Sequence, residues 1–123
     1  MSTKRLMIVD DALIMRMKIR EIAVKAGWSV VAEATNGMEA VQLFEQHRPD
    51  LVTLDMVMPE MDGLTALKAI RGGHPEANIV MVSAINQKDK LRECIAAGAM
   101  DFVVKPFDPD RLLSFFARHL QDA

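Results

Sequence analysis

Five short apolar runs, each followed by a helix-length amphipathic segment, constrain this chain more than any other feature. The first, Lys4-Arg5-Leu6-Met7-Ile8-Val9, runs straight into two aspartates, and similar runs recur at residues 29–32, 51–54, 79–82 and 102–104. Runs this short and this apolar suit strands buried on both faces of a parallel sheet. The segments between them read as helices. The first is expected over about residues 13–26, with Ile14, Met17, Ile19, Ile22 and Ala23 as its apolar stripe and Arg16, Lys18, Arg20, Glu21 and Lys25 facing water. Gly27 ends it, because glycine enters the left-handed conformation freely. The second follows Asn36-Gly37, carries Ala40, Val41, Leu43 and Phe44, and stops by Pro49. The third follows Gly63 with Leu64, Leu67 and Ile70 and ends at Gly72-Gly73. A fourth, around residues 88–97, stops at Gly98, and a fifth follows Pro109 with Leu112, Leu113 and Phe116 inward. Five β-α repeats predict a doubly wound (βα)5 fold of the α/β class: a five-stranded parallel sheet, helices on both faces, right-handed crossovers. A helical bundle would leave the Val- and Ile-rich runs unexplained.

The 123 residues suffice for one domain over 1–123 with a real core, and not for two. The balance of 15 Lys and Arg against 17 Asp and Glu, net charge -2, argues against a dedicated nucleic-acid binder. Cys94 is the single cysteine, so no internal disulfide framework exists, as suits a reducing compartment. The first five residues lack a signal-peptide core, and no run approaches the roughly 20 apolar residues a membrane span needs. A cytoplasmic location is expected.

In doubly wound folds, ligands bind beyond the C-terminal ends of the strands. Strand one ends in Asp10-Asp11, strand three in Asp55, strand four in Ser83 and strand five in Lys105, while strand two ends near Glu33, farther from the centre. Three carboxylates, a hydroxyl and an ammonium thus converge on one sheet edge. Two carboxylates about 5 Å apart repel by about 3 kcal/mol at an effective dielectric of about 20. Three cost more than Lys105 alone offsets, so either one carboxyl is protonated or a cation sits there. Hard oxygen ligands at an open site suit Mg²⁺. A carboxylate can also act as nucleophile and become an acyl phosphate, with a metal and a lysine balancing charge on the transferring group. Ser83 could donate a hydrogen bond to a phosphoryl oxygen.

Taken in order, four stretches closely resemble the receiver domains of bacterial two-component response regulators, over Leu6 to about Leu120. They are Ile8-Val9-Asp10-Asp11, then Thr53-Leu54-Asp55-Met56-Val57-Met58-Pro59-Glu60-Met61-Asp62-Gly63, then Val82-Ser83-Ala84, and last Ala97-Gly98-Ala99-Met100-Asp101-Phe102-Val103-Val104-Lys105-Pro106-Phe107. Asp10-Asp11-Ala12 followed by Met15-Arg16, with no output domain, looks like the stand-alone chemotaxis members. The resemblance implies the flavodoxin-like strand order 2-1-3-4-5, for which this family is itself a familiar example. It implies Asp55 as phosphoacceptor, and Mg²⁺ bound directly by Asp11, Asp55 and the Val57 carbonyl, with Asp10 acting partly through water. Lys105 would hold the phosphoryl group, Ser83 would close on it, and Phe102 would swing inward with Ser83. The Lys105-Pro106 bond would be cis, a form seen in only about 5–6% of such bonds.

The implied function is a two-state signalling switch, not an enzyme beyond its own phosphorylation and dephosphorylation. A histidine kinase would supply the phosphoryl group, and a partner protein, the flagellar motor being one candidate, would read the face of helix four, strand five and helix five. A monomer is expected, with neither nucleic acid nor membrane as partner. Alternatives are a phosphorelay intermediate, the receiver of a longer regulator, or a pseudo-receiver that binds without phosphate. A flavodoxin would want a Ser/Thr/Gly-rich loop after strand one, and an aspartate phosphatase a general acid at position 57, where this chain has valine. Phe102 stands where relatives often have tyrosine, and Ser83 where threonine is more frequent. Val57 and Ile85 stand where many relatives carry polar groups, which predicts an altered rate of self-dephosphorylation.

The remaining features read as ordinary structure. Met56, Met58 and Met61 suit adaptable packing more than a soft-metal site. His47, His74 and His119 lie on separate segments with no ligand spacing. Cys94 and Trp28 are expected in the core, and Lys88, Lys90 and Arg92 on a solvated helix face.

Overall fold

The computed structural model describes residues 4–84 and 88–121. Five parallel strands, β1 (Arg5–Val9), β2 (Ser29–Ala34), β3 (Leu51–Asp55), β4 (Ile79–Ala84) and β5 (Asp101–Lys105), form one sheet in the order β2-β1-β3-β4-β5. They alternate with helices α1 (Leu13–Lys25), α2 (Gly37–His47), α3 (Gly63–Gly73), α4 (Lys88–Ala96) and α5 (Pro109–Gln121). This is the doubly wound fold the apolar runs predict. Four strands run further than their apolar runs: β2 to Ala34, β3 to Asp55, β4 to Ala84, and β5 from Asp101 through Lys105. Backbone pairing in a parallel ladder does not require an apolar side chain, so strands extend into the polar residues that end them.

Side-chain alternation splits the core into two layers. Met7, Val9, Val52, Leu54, Ile79 and Met81 face α2, α3 and α4, where they meet Phe44, Leu67, Ile70 and Cys94. Leu6, Ile8, Leu51 and Val80 face α1 and α5, where they meet Ile19, Ala23, Leu112, Phe115 and Phe116. The central strands β1, β3 and β4 are buried on both faces over nearly their whole length. Trp28, at the start of β2, donates its indole N–H to the Phe116 carbonyl at 2.8 Å and meets that ring edge-on. Met56 and Met58 lie buried in the first layer, and the Cys94 thiol sits 3.4 Å from the Met56 sulfur.

Helix α1 departs from its expected orientation. Ile14 and Met17 are 69% and 58% exposed, whereas the Arg16 side chain is only 12% exposed. The buried positions are Ile19 and Ala23, with Met15, Ile22 and Ala26 packed beside them. Arg16 lies seven residues before Ala23, close to two full turns, and so shares its face, while Ile14 and Met17 lie well round the cylinder from Ile19. Hydrophobicity alone placed these three side chains on the wrong sides. At its C-terminus α2 ends at His47, with Arg48 in the left-handed conformation at φ 46°.

Among the described residues no helix is long and apolar enough to cross a membrane. Ile85 lies outside the described residues.

Candidate functional site

The C-terminal ends of β1, β3 and β5 form an acidic cleft crossed by one lysine. Asp10 follows β1 and is almost fully buried, at 1% exposure. Its backbone N–H donates to the Ala34 carbonyl at 3.0 Å. Its Oδ1 accepts the Ala12 N–H, and its Oδ2 accepts Lys105 Nζ, both at 2.9 Å. Lys105 also donates to Asp55 Oδ1 at 3.2 Å. Asp11, the next residue, is exposed at the mouth. Carboxylate oxygens of Asp10, Asp11 and Asp55 lie within 4.8 Å of one another, the one group of three or more potential acidic, His or Cys ligands among the described residues. The histidines are elsewhere: His74, for instance, pairs with Glu45 across α2 and α3.

Local packing fixes where Asp55 ends up. It is the last residue of β3, buried beneath the loop that leads into α3. That loop turns sharply, with Glu60 at φ 69°, and returns so that the Gly63 N–H donates to the Met56 carbonyl at 2.9 Å. A Cβ on Gly63 would collide with the Asp55 carbonyl and lie 2.8 Å from Met56 Cα, so only glycine allows α3 to start this close to the strand end. Asp62 caps α3 by accepting the Thr65 N–H at 2.9 Å.

The charges respond to this confinement. Burial pushes the Asp55 carboxyl up from 3.8 to about 6; the neighbouring Asp10 carboxylate adds to the rise, Lys105 opposes it, and Asp11 adds a little more. For Lys105, burial disfavours the ammonium, but hydrogen bonds and charge from Asp10 and Asp55 outweigh it, and its pKa stands above the ordinary value. Lys105 is therefore a fixed cation, yet one ammonium leaves the cluster short of positive charge. Clustered carboxylate oxygens at an open mouth, with one acid pushed toward protonation, are a donor set that fits Mg²⁺.

Ser83 is buried at the end of β4. Phe102 on β5 is exposed, at 44%. A cavity of about 400 Å³ lies between them, lined by Ser83, Ala84, Leu91, Ile95, Phe102 and Val104 among others. Val57, in the loop after β3, is also exposed. The Lys105–Pro106 peptide is cis. Lys88, Lys90 and Arg92 project to solvent on α4. Two features escaped the sequence. Arg16, expected in water, donates from Nη1 to the Asp10 carbonyl at 2.8 Å and from Nε to Glu33 at 3.1 Å. The only available signal was its two-turn spacing from Ala23. Thr53, two residues before Asp55, has a buried hydroxyl without a hydrogen-bond partner among the described residues.

Comparison with known proteins bears on this site. Residues 6–117 match the family model described as the response regulator receiver domain. The chain is 55% identical over 109 residues to the chemotaxis protein CheY of Bacillus subtilis, covering 89% of this chain and 91% of that one. It is 50% identical over 110 residues to CheY of Thermotoga maritima, covering 89% and 92%. Among solved structures it resembles a chain of the CheX-CheY-BeF3-Mg²⁺ complex from Borrelia burgdorferi, with a TM-score of 0.86 and 34% identity over 90% of this chain and 84% of that chain.

Proposed function

The chain belongs to the response regulator receiver family, and on that premise we propose that it is a chemotaxis signalling switch whose phosphoacceptor is Asp55. The observation that carries the proposal is the position of Lys105 Nζ, 2.9 Å from Asp10 and 3.2 Å from Asp55 in a cluster of three carboxylates.

A phosphodonor approaching the cleft presents phosphorus to an Asp55 carboxylate oxygen. The new O–P bond forms as the bond to the donor's leaving group breaks, giving an aspartyl phosphate. Asp10, Asp11 and Asp55, with the Val57 carbonyl, would hold Mg²⁺, which supplies charge neutralisation to the phosphoryl oxygens. Lys105 already touches Asp55 and keeps its proton, so it can follow the negative charge from carboxylate to phosphoryl oxygen with little rearrangement. Burial limits water at Asp55 on one side, while exposed Asp11 and Val57 leave the other side open to the donor.

Ser83 would donate to a phosphoryl oxygen. Its inward move would draw on the cavity beside Phe102, whose ring now projects outward at 44% exposure with about 400 Å³ of space next to it. Phosphate contacts would thus bias an existing equilibrium between outward and inward Phe102. The readout surface would be α4, β5 and α5, and the phosphodonor a histidine kinase. Targets would include CheX-type proteins, given the complex of the Borrelia relative, and the flagellar motor. The unit would act as a single receiver over residues 1–123, as a cytoplasmic monomer. It has no catalytic duty beyond its own phosphorylation and dephosphorylation.

Intact mass after incubation with Mg²⁺ and acetyl phosphate, beside Asp55→Asn, tests the chemistry. One added phosphoryl group, dependent on Mg²⁺ and absent in the variant, is the expected result. No adduct at short times, or an adduct that persists in Asp55→Asn, removes Asp55 as the acceptor.

A further inference from the structure

We infer that Arg16 is a positioning residue for the cation site, acting through the Asp10–Asp11 peptide. This rests on the reading that the acidic cluster takes Mg²⁺. Arg16 touches none of the three carboxylates in its hydrogen bonds. Its guanidinium forks instead, with Nη1 donating to the Asp10 carbonyl at 2.8 Å and Nε donating to Glu33 Oε1 at 3.1 Å. Glu33, on β2, is itself held by Arg20 Nη1 at 2.6 Å. The fork is anchored on β2 and reaches across to the end of β1.

The consequence lies in what else holds Asp10. Its N–H is fixed by Ala34, its Oδ1 by Ala12 and its Oδ2 by Lys105. The carbonyl is the remaining polar group, and Arg16 takes it. That carbonyl belongs to the peptide plane joining Asp10 to Asp11, so the bond sets how Asp11 leaves the strand. Asp11 needs such help more than its neighbours. It is exposed, and its carboxylate has no hydrogen-bond partner among the described residues. With no such contact to hold the side chain, the backbone sets where its Cα–Cβ bond points and so the range its carboxylate can offer a cation. Mg²⁺ demands near-ideal octahedral geometry, so a small rotation of one ligand costs affinity. Partners that orient ligands commonly contribute 10–100-fold to metal affinity. Arginine suits the task because its planar, always-charged fork holds two acceptors in one plane, which a lysine ammonium cannot do.

Isothermal titration calorimetry with MgCl₂ on the full chain, at fixed ionic strength, tests this with no phosphodonor present. Arg16→Met is expected to raise the Mg²⁺ dissociation constant on the order of tenfold. Arg16→Lys should fall between the variant and wild type, because it keeps the charge on Glu33 but loses the fork. Arg20→Met is the control: it removes the shorter ion pair to Glu33 without reaching Asp10, and should bind Mg²⁺ like wild type. Equal affinity in wild type and both Arg16 variants overturns the inference while leaving the Mg²⁺ reading intact. An equal loss in Arg20→Met also overturns it, because the effect would then belong to the Glu33 ion pairs. Absence of Mg²⁺ binding by the wild type removes both the site reading and the inference. Should Arg16→Met not fold, Arg16→Lys carries the test, and wild-type affinity in that folded variant counts against the proposal.

Discussion

Replacing Asp55 with asparagine should make the metal-free protein more stable at neutral pH, although it removes an ion pair with Lys105. Burial and the Asp10 charge raise the folded-state pKa of Asp55 from 3.8 to about 6, and that value already contains the attraction of Lys105. The folded state therefore binds the proton more tightly than the unfolded state does. Below 3.8 the carboxyl is protonated in both states and carries no penalty. As pH rises toward about 6 the unfolded chain ionises readily while the folded one resists, so stability is lost across that window and stays lost above it. At about 1.4 kcal/mol per pH unit the full penalty is about 3 kcal/mol. Asparagine matches the protonated side chain in shape and carries no charge, so it escapes the penalty. With unfolding entropy near 2.1 cal/mol/K per residue over 123 residues, about 3 kcal/mol corresponds to a rise in Tm of roughly 10 °C. The assay is thermal unfolding followed by far-UV circular dichroism in EDTA, for both proteins, from pH 3.5 to 7.5. Groups outside the Asp10–Asp11–Asp55–Lys105 cluster titrate alike in the two proteins and cancel in the difference. The expected difference is near zero at pH 3.5, grows between about pH 4 and 6, and is flat above. A difference that is absent at pH 7.5, or as large at pH 3.5, refutes the account of Asp55 as a confined, strained charge. Saturating Mg²⁺ should narrow the gap by raising the wild type.

Three further outcomes follow from the packing. Thr53→Val removes a buried hydroxyl that has no partner among the described residues and keeps the volume, so urea denaturation should show a gain of about 1 kcal/mol; a loss would reveal a hydrogen bond to an internal water. Trp28→Phe strips the buried indole N–H from the Phe116 carbonyl and should cost about 2 kcal/mol by the same assay; an unchanged midpoint would mean that the bond adds nothing. The Cys94 thiol is buried and pushed up to about 11, chiefly by burial, so at pH 8 it should resist a thiol reagent in the native protein and react promptly in urea. Rapid native labelling would place it on a surface it does not occupy here.

Much of this molecule was legible in the residues because the signals are local. The apolar runs specify strands and the amphipathic segments specify helices. Their alternation leaves a parallel doubly wound sheet, which brings Asp10, Asp55, Ser83 and Lys105 to one edge. The residue types there name the chemistry. What the sequence left open depends on distances between residues far apart in the chain. Arg16 reads as a solvated helix residue until α1 is docked on the sheet, when its spacing from Ala23 turns it inward to the Asp10 carbonyl and to Glu33. Ile14 and Met17 read as core by composition but lie on a side of α1 that is exposed among the described residues. Phe102 alternates with less exposed residues on an edge strand, and only the folded structure shows its ring 44% exposed at the wall of a cavity. The displaced ionisation of Asp55 is likewise invisible in its neighbours along the chain. It arises because Asp10 and Lys105, 45 residues before it and 50 after, are packed against it under a loop that Gly63 allows to close. Charge–charge energy falls with separation in space, not along the sequence, so the sequence determined which groups are present and the tertiary structure decided how strongly each one acts.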